Sequence, residues 1–490
     1  MDGGNVGSAP RLPGQEGKMA DDPLGAPLQV ALSRRLLLGV GAGLAAAAVS
    51  GVSPFGAALA QAPMPAADLR LVVITDLHSP YATLAQLLEA IGQRLNGGDP
   101  ARTLVLVNGD CFERGNVAAL RSGGEVDWAF LAKLRRFGSV VLNLGNHEVA
   151  LADDLADTVA RARTLGLQVI SNIIDRRTNL PFAPAAARFT LAGRNVGVIA
   201  VATDQLATYR QPARATLAIP KPAEYAASVM PGLFAGVDLP IILSHAGIGE
   251  DRRLLPLLPA NAFLIGGHDH LNVMTSPSQG PFLLHAASWG TRFGHLDISL
   301  AEGEPRFSMG MTSVDRTMAA EPELATLIAR TLEQHLTAED RAPVGTSPRA
   351  MLLPEAAAFA SEVIRQATGA DVAFLSHTTL GTGLPAGPVS RYDFDAFIRF
   401  DGDIRTAEVP GRVLMDILAR ANQHQKALDE KTGDFVYART LAVDPAATYR
   451  IAAIGWVAMN QGLYLGTKDL AFTPAPGLRL KAVVAGALRG

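Results

Sequence analysis

The clearest regularity along the chain is an alternation between short apolar runs and stretches whose apolar residues recur at helical spacing. Between residues 68 and 314 the runs are LRLVVIT, TLVLVNG, SVVLNLG, NVGVIAVA, LPIILS and AFLIGG. All are of strand length and several are β-branched, which predicts strands. ATLAQLLEAIGQRL and DWAFLAKLRRF, lying between them, carry the helical period. Strand, helix, strand ordering predicts a layered α/β domain. Near its end FLLHAASW, HLDISLA and RFSMGMTSV follow in quick succession, which predicts antiparallel strands closing the domain.

Residues 315–340 carry a charged amphipathic pattern and predict a helix linking two halves. The segment APVGTSP follows, then the helical EAAAFASEVIRQATGA and the strand DVAFLS, so a second, smaller α/β domain is expected over residues 341–490. A chain of 490 residues is long enough for two such domains. It contains no internal repeat.

Composition narrows the class. Apolar residues make up 48% and charged residues 18%, a globular balance, and the net charge of −3 gives no basic surface for a nucleic-acid polymer. The single cysteine, Cys111, excludes an intramolecular disulfide framework. Residues 1–60 stand apart. A Gly-, Pro- and Ala-rich lead precedes Ser33-Arg34-Arg35, an apolar run, and ALA at 58–60. Charge, apolar run and small-residue cleavage site form a secretory signal, and paired arginines point to the twin-arginine export machinery. A membrane anchor is the alternative reading of that run. The later chain has no uncharged apolar stretch long enough for a membrane span. A periplasmic protein without a stable membrane anchor is the expectation.

The chemistry lies at the strand ends. Asp76 and His78 follow the first run, Gly109 and Asp110 the second, and Gly145-Asn146-His147-Glu148 the third. His245 follows LPIILS, and His268 and His270 follow AFLIGG. Ligand sites of α/β sheets sit at the carboxyl ends of strands. Imidazoles and carboxylates suit divalent zinc, manganese or iron, and one shared carboxylate such as Asp110 can bridge two ions. Singly, each motif is commonplace, but five of the ten histidines lie in this ordered set.

The set resembles the calcineurin-like metallophosphoesterases, whose D-x-H, G-D, G-N-H-E, H and G-H-x-H appear here as DLH, GD, GNHE, SHAG and GHDH. LLHAASWGTRFGHLDISL is similar to the closing segment of the 5′-nucleotidase and UDP-sugar hydrolase branch. GADVAFLSHTTLGTGLPAGPVSRYDF, FDGDIRTAEVPGRVLMDILARA and YRIAAIGWVAMNQGLY are similar to its C-terminal domain. The resemblance implies a four-layer αββα metallophosphoesterase domain over 68–314, the linker helix over 315–340, and a 5′-nucleotidase-type substrate-binding domain over 341–490. It implies one divalent metal ion on Asp76, His78, Asp110 and His270, and a second on Asp110, Asn146, His245 and His268. His147, assisted by Asn146, would act beside the phosphorus. Phe400 and Trp456 match the family's base-stacking pair, with ordinary core packing as their alternative.

Four positions depart from the family. Ala150 stands where an acid hydrogen-bonds His147, leaving Asp153 or Asp154 as possible substitutes. Gly381 stands at an arginine, Gly402 at an asparagine and Gly462 at an aspartate that contact substrate in the family. In the altered turn His377 reads as a solvent-facing loop residue, with a contact to an anionic group as the alternative. Cys111 reads as a small buried residue. The expectation is an exported dinuclear-metal phosphoesterase, acting on 5′-nucleotides or related small-molecule phosphate esters through a metal-bridging hydroxide. Two alternatives accompany it: a thiosulfohydrolase-like hydrolase of sulfur oxidation, and a non-catalytic anion- or nucleotide-binding member of the fold.

Overall fold

A computed structural model describes residues 67–275, 280–299 and 306–490. The export signal read at residues 1–60 lies outside them. Among the described residues no helix is long and apolar enough to cross a membrane.

Six apolar runs become the central strands of two six-stranded sheets. Leu69–Thr75, Thr103–Asn108 and Ser139–Asn143 are parallel neighbours in the first. Arg194–Ala202, Leu239–His245 and Phe263–Gly266 are parallel neighbours in the second. Their side chains are buried on both faces, which is why the sequence shows continuous runs instead of alternation. One face of each sheet meets the other sheet, through Leu71, Val73, Leu104, Val198, Ile241 and Ile265. The outer face of the first is covered by helices Leu84–Leu95, Glu125–Leu134 and Pro322–His335. The outer face of the second packs Ile199, Ile242 and Leu264 against Ala226 and Met230 of helix Pro222–Leu233 and Ile248 of helix Ile248–Leu254. The domain is therefore helix, sheet, sheet, helix.

The closing strands differ in part from the expectation. Arg292–Ser299 lies antiparallel to Leu69–Thr75, and Arg306–Ser313 antiparallel to Arg292–Ser299. Phe282–Ala286 instead joins the second sheet, parallel to Phe263–Gly266 and antiparallel to Asn272–Thr275. Run order alone does not distinguish these sheets, because the chain changes sheet at 287–291 without a change in hydrophobic pattern.

The linker expected over 315–340 is two helices, Pro322–His335 and Ala338–Arg341, the second ending one residue beyond that range. The first is fixed to the N-terminal layers by Lys133 and Arg136 on Glu321, each at 3.0 Å, and by Arg330 on Glu125. Beyond it a five-stranded sheet is built in the spatial order Val436–Tyr437, Val372–Ser376, Thr448–Ile454, Asp403–Pro410, Thr473–Arg479. The buried cluster containing Ile199 and Ile242 continues through Phe374, Phe397 and Ile451, so the C-terminal sheet shares its core with the second sheet.

Candidate metal centre

Five strand ends converge. Asp76 and His78 follow Leu69–Thr75, Asp110 follows Thr103–Asn108, and Asn146 and His147 follow Ser139–Asn143. His245 ends its strand, and His268 and His270 follow Phe263–Gly266. The two sheets are tied at this rim by buried asparagines. Asn108 donates to the carbonyls of Ser244 (2.9 Å) and Ile265 (3.0 Å), and Asn143 donates to Asn108 Oδ1 (2.9 Å).

Asp76, His78, Asp110, His268 and His270 all have left-handed backbones, with φ between 48° and 79°. Such conformations in non-glycine residues cost roughly 1–3 kcal/mol each and persist where the surroundings impose them. Here the loops hold one another: His78 N–H donates to Asp110 O (2.9 Å), His268 N–H to Asp76 Oδ1 (2.9 Å), and His147 N–H to Asp110 Oδ1 (2.7 Å). Gly109 is needed for the approach. Its φ is 76°, and a Cβ there would stand 2.7 Å from both Gly145 N and His245 Nδ1.

All eight side chains predicted at the centre come together. Asp76, His78 and His270 present ligand atoms within 4.8 Å of one another; so do Asp110, His245 and His268, and so do His78, Asp110 and His147. Asn146 joins through its Oδ1, 3.0 Å from His268 Nδ1. A divalent ion fits these groups. His78 Nε2 and His270 Nε2 face each other at 2.9 Å, and the buried atoms Asp76 Oδ2 and His245 Nε2 have no hydrogen-bond partner. Second contacts orient the ligands: His245 Nδ1 lies 2.7 Å from Asn108 O, which leaves Nε2 directed at Asp110 Oδ2, 3.2 Å away. Asn146 donates its amide to Thr208 O (3.3 Å) and so turns its oxygen to His268.

The electrostatics of the protein alone leave charge to be neutralised. Burial lowers His78 and His268 to about 4, keeping both imidazoles neutral and ligand-competent. Burial raises Asp76 to about 7. Asp110 is also penalised by burial, but His245 and His147 hold it well below the usual carboxylate range. For His245 burial is outweighed by Asp110, Asp76 and Glu148, which push it up to about 10.

Ala150 has a different substitute from either candidate. Asp153 ion-pairs with Arg210 at 2.7 Å, and Asp154 caps helix Leu155–Thr164 and pairs with Arg177. The acid beside His147 is Glu113, whose Oε2 lies 3.6 Å from His147 Nδ1 and 3.5 Å from His78 Nδ1. The same oxygen pairs with Arg399 of the C-terminal domain. Burial opposes ionisation of Glu113, but Arg399 and His78 hold its carboxyl well below the usual range. Glu148 is a scaffold acid. It accepts from the backbone N–H of Asp110 (3.0 Å), Cys111 (2.9 Å) and Gly145 (2.5 Å). Cys111 is buried, and burial together with Glu148 raises its thiol well above normal, in keeping with an inert packing role.

The C-terminal domain covers this centre with partly new chemistry. His377 is buried, not solvent-facing: it stacks on Phe435 (4.3 Å), and its ring centre lies 6.2 Å from that of His270. The turn carrying it folds inward against the site, which its small polar sequence does not reveal. Gly381 admits no side chain, since a Cβ would collide with Ala396 O and stand 2.8 Å from the Trp289 ring. A Cβ at Gly402 would meet nothing within 4 Å, whereas Lys468 lies over Gly462. Phe400 and Trp456 are 51% and 43% exposed, so neither is a core aromatic. Among the described residues they make no ring contact with each other. Trp456 donates its indole N–H to Tyr464 Oη at 3.1 Å, and Phe400 lies against the Arg399 guanidinium.

Comparison with known proteins agrees with this architecture. A family model for calcineurin-like phosphoesterases matches residues 69–272, and one for the 5′-nucleotidase C-terminal domain matches residues 345–440. Among solved structures, a 5′-nucleotidase precursor from Thermus thermophilus is 19% identical, with TM-score 0.57 over 86% of this chain and 96% of that one. A sulfate thiohydrolase, SoxB, also from Thermus thermophilus, is 14% identical, with TM-score 0.59 over 88% and 95%. A 5′-nucleotidase from Candida albicans is 14% identical, with TM-score 0.57 over 87% and 99%. At these identities the likeness is one of fold. No curated protein matches the sequence. The chain thus carries, in order, a domain that matches the calcineurin-like phosphoesterases and one that matches the 5′-nucleotidase C-terminal domain.

Proposed function

We propose that this protein is an exported phosphoesterase using two divalent metal ions, acting on small-molecule phosphate esters, with 5′-nucleotides or related nucleotides foremost. One observation carries the reading: eight ligand-type side chains from five strand ends meet in overlapping groups, with Asp110 shared between two of them. Asp76, His78, Asp110 and His270 would hold one ion, and Asp110, Asn146, His245 and His268 the other. Zinc, manganese and iron all suit these donors. When bound, the ions supply a nucleophilic water of lowered pKa and Lewis-acid polarisation of phosphoryl oxygens.

The protein's own groups do the rest. His147 is part-exposed beside the ligand cluster, where it can hold or pass a proton at the leaving-group oxygen. Glu113 aligns its ring, and the His147 N–H on Asp110 fixes its backbone. Burial of the ligands excludes bulk water and strengthens each of these interactions. The exposed rings of Phe400 and Trp456 offer stacking surfaces to a base. Export rests on the pattern at residues 33–60, and it places the enzyme in the periplasm.

A second reading is a sulfur-ester hydrolase such as a thiosulfohydrolase. It is favoured by the absence of side chains at Gly381, Gly402 and Gly462, which removes much of the nucleotide-reading surface. Phosphate release from AMP, a UDP-sugar and a cyclic nucleotide, set against sulfate release from thiosulfate-type conjugates, decides between them. Phosphate is expected; sulfate alone selects the second reading.

A further inference from the structure

Arg399 reaches the centre from outside the phosphoesterase layers. It lies between helix Arg391–Phe397 and strand Asp403–Pro410 of the C-terminal domain, 286 positions from its partner Glu113. Its side chain is 3% exposed. The guanidinium carbon stands 4.9 Å from the Trp289 ring centre and 5.0 Å from that of Phe400. Trp289 stacks in turn on His78, 5.0 Å away.

The Arg399–Glu113 pair is poorly saturated for a buried one. A guanidinium carries five N–H donors in a fixed fork, and a buried ion pair is favourable only when its remaining donors are met. Here Arg399 Nε is buried without a hydrogen-bond partner. On the acid side, one oxygen, Glu113 Oε2, serves Arg399 while also facing His78 and His147. The cation has donors to spare and the carboxylate is shared. A tetrahedral oxyanion beside His147 would relieve both.

The second observation is independent. Trp289 fills the space a side chain at Gly381 would need, and the same ring forms one wall of the Arg399 slot. Closing one position to an arginine therefore builds the seat for another.

We propose that Arg399 binds the oxyanion of the substrate, with Glu113 as its partner when no anion is present. This rests on the reading of the site as one for phosphate esters or a related oxyanion. Arrival of the anion draws the guanidinium fork from Glu113 and leaves that carboxylate to His147. The C-terminal domain thus couples substrate capture to alignment of the imidazole.

The test is calorimetric titration of metal-loaded protein with inorganic phosphate, with metal content and thermal unfolding measured for every variant. Arg399→Gln weakens phosphate binding about 10- to 100-fold, the effect of losing hydrogen bonds to a charged group. Glu113→Gln, with Arg399 intact, tightens it, because the competing carboxylate is gone. A merely structural latch predicts lowered stability in both variants and unchanged phosphate affinity. Unchanged affinity in Arg399→Gln, or absence of phosphate binding to the wild type, overturns the proposal. If Arg399→Gln does not fold, Glu113→Gln decides alone: unchanged or weakened binding overturns it. Phosphate-ester hydrolysis by the wild type is scored separately. Activity with an unaffected Arg399→Gln sinks this inference alone, whereas no hydrolysis of any ester sinks the functional reading.

Discussion

Glu113 Oε2 stands 3.6 Å from His147 Nδ1, so the imidazole has an acidic neighbour although Ala150 offers none. The acid has moved from four residues after Asn146 to three residues after Asp110. Removing a partner that orients a functional imidazole typically costs about 10–100-fold. Glu113→Gln is therefore expected to lower kcat by that order at matched metal content, which is measured because the same oxygen also faces His78. Asp153→Asn and Asp154→Asn, whose carboxylates serve Arg210 and Arg177, leave kcat unchanged. Steady-state kinetics of the three variants checks this; loss of kcat in either Asp variant with none in Glu113→Gln contradicts it.

Gly381 is closed to side chains by Ala396 O and the Trp289 ring. Forcing atoms into a packed contact of this kind costs typically about 1–3 kcal/mol. Gly381→Ala is expected to lower the melting temperature, and Gly381→Arg to reduce folded yield without improving nucleotide turnover. Thermal melts and expression yield report both.

Metal removal is expected to destabilise the fold as well as stop turnover, because a ligand that binds only the native state adds to its stability. Asp76, Asp110 and His245 are buried and leave ligand atoms unpartnered or facing one another. Chelator should lower the melting temperature, and zinc or manganese should restore it. His245→Ala should blunt that response. A melting temperature indifferent to chelator contradicts the assignment of these residues.

Asp127 supplies a pH test on a group outside the ligand set. It is buried, accepts from Tyr81 Oη at 2.8 Å, and burial raises its carboxyl from 3.8 to about 7. A group raised in the folded state contributes stability that is fully present below its unfolded pKa and lost as pH rises through its folded pKa. The wild-type unfolding free energy minus that of Asp127→Asn should therefore fall between about pH 4 and 7, by at most about 1.4 kcal/mol per pH unit, and flatten above. A difference that rises over this interval contradicts the assignment.

The candidate metal-ligating residues were legible because each follows an apolar strand and each is of a chemically distinctive type. Asp76, His78, Asp110, His245, His268 and His270 need only the rule that parallel strands deliver their ends to one rim. The four layers follow from the same runs. Glu113 and Arg399 were not legible. Neither sits in a motif, and they meet across 286 positions through a domain contact that periodicity does not encode. The one cue is local: a charged residue inside the apolar run AFIRF has to find a buried partner. His377 was misplaced for a related reason, because a small polar turn has the same composition whether it faces solvent or a second domain.

The most direct test of the central claim is phosphate release by protein of measured metal content, with AMP, a UDP-sugar and a cyclic nucleotide as substrates, compared between wild type and Asp110→Asn. Release proportional to bound metal in the wild type, and lost in Asp110→Asn, is the predicted result. Stoichiometric metal with no phosphate released from any ester, or release that does not depend on metal, would contradict it.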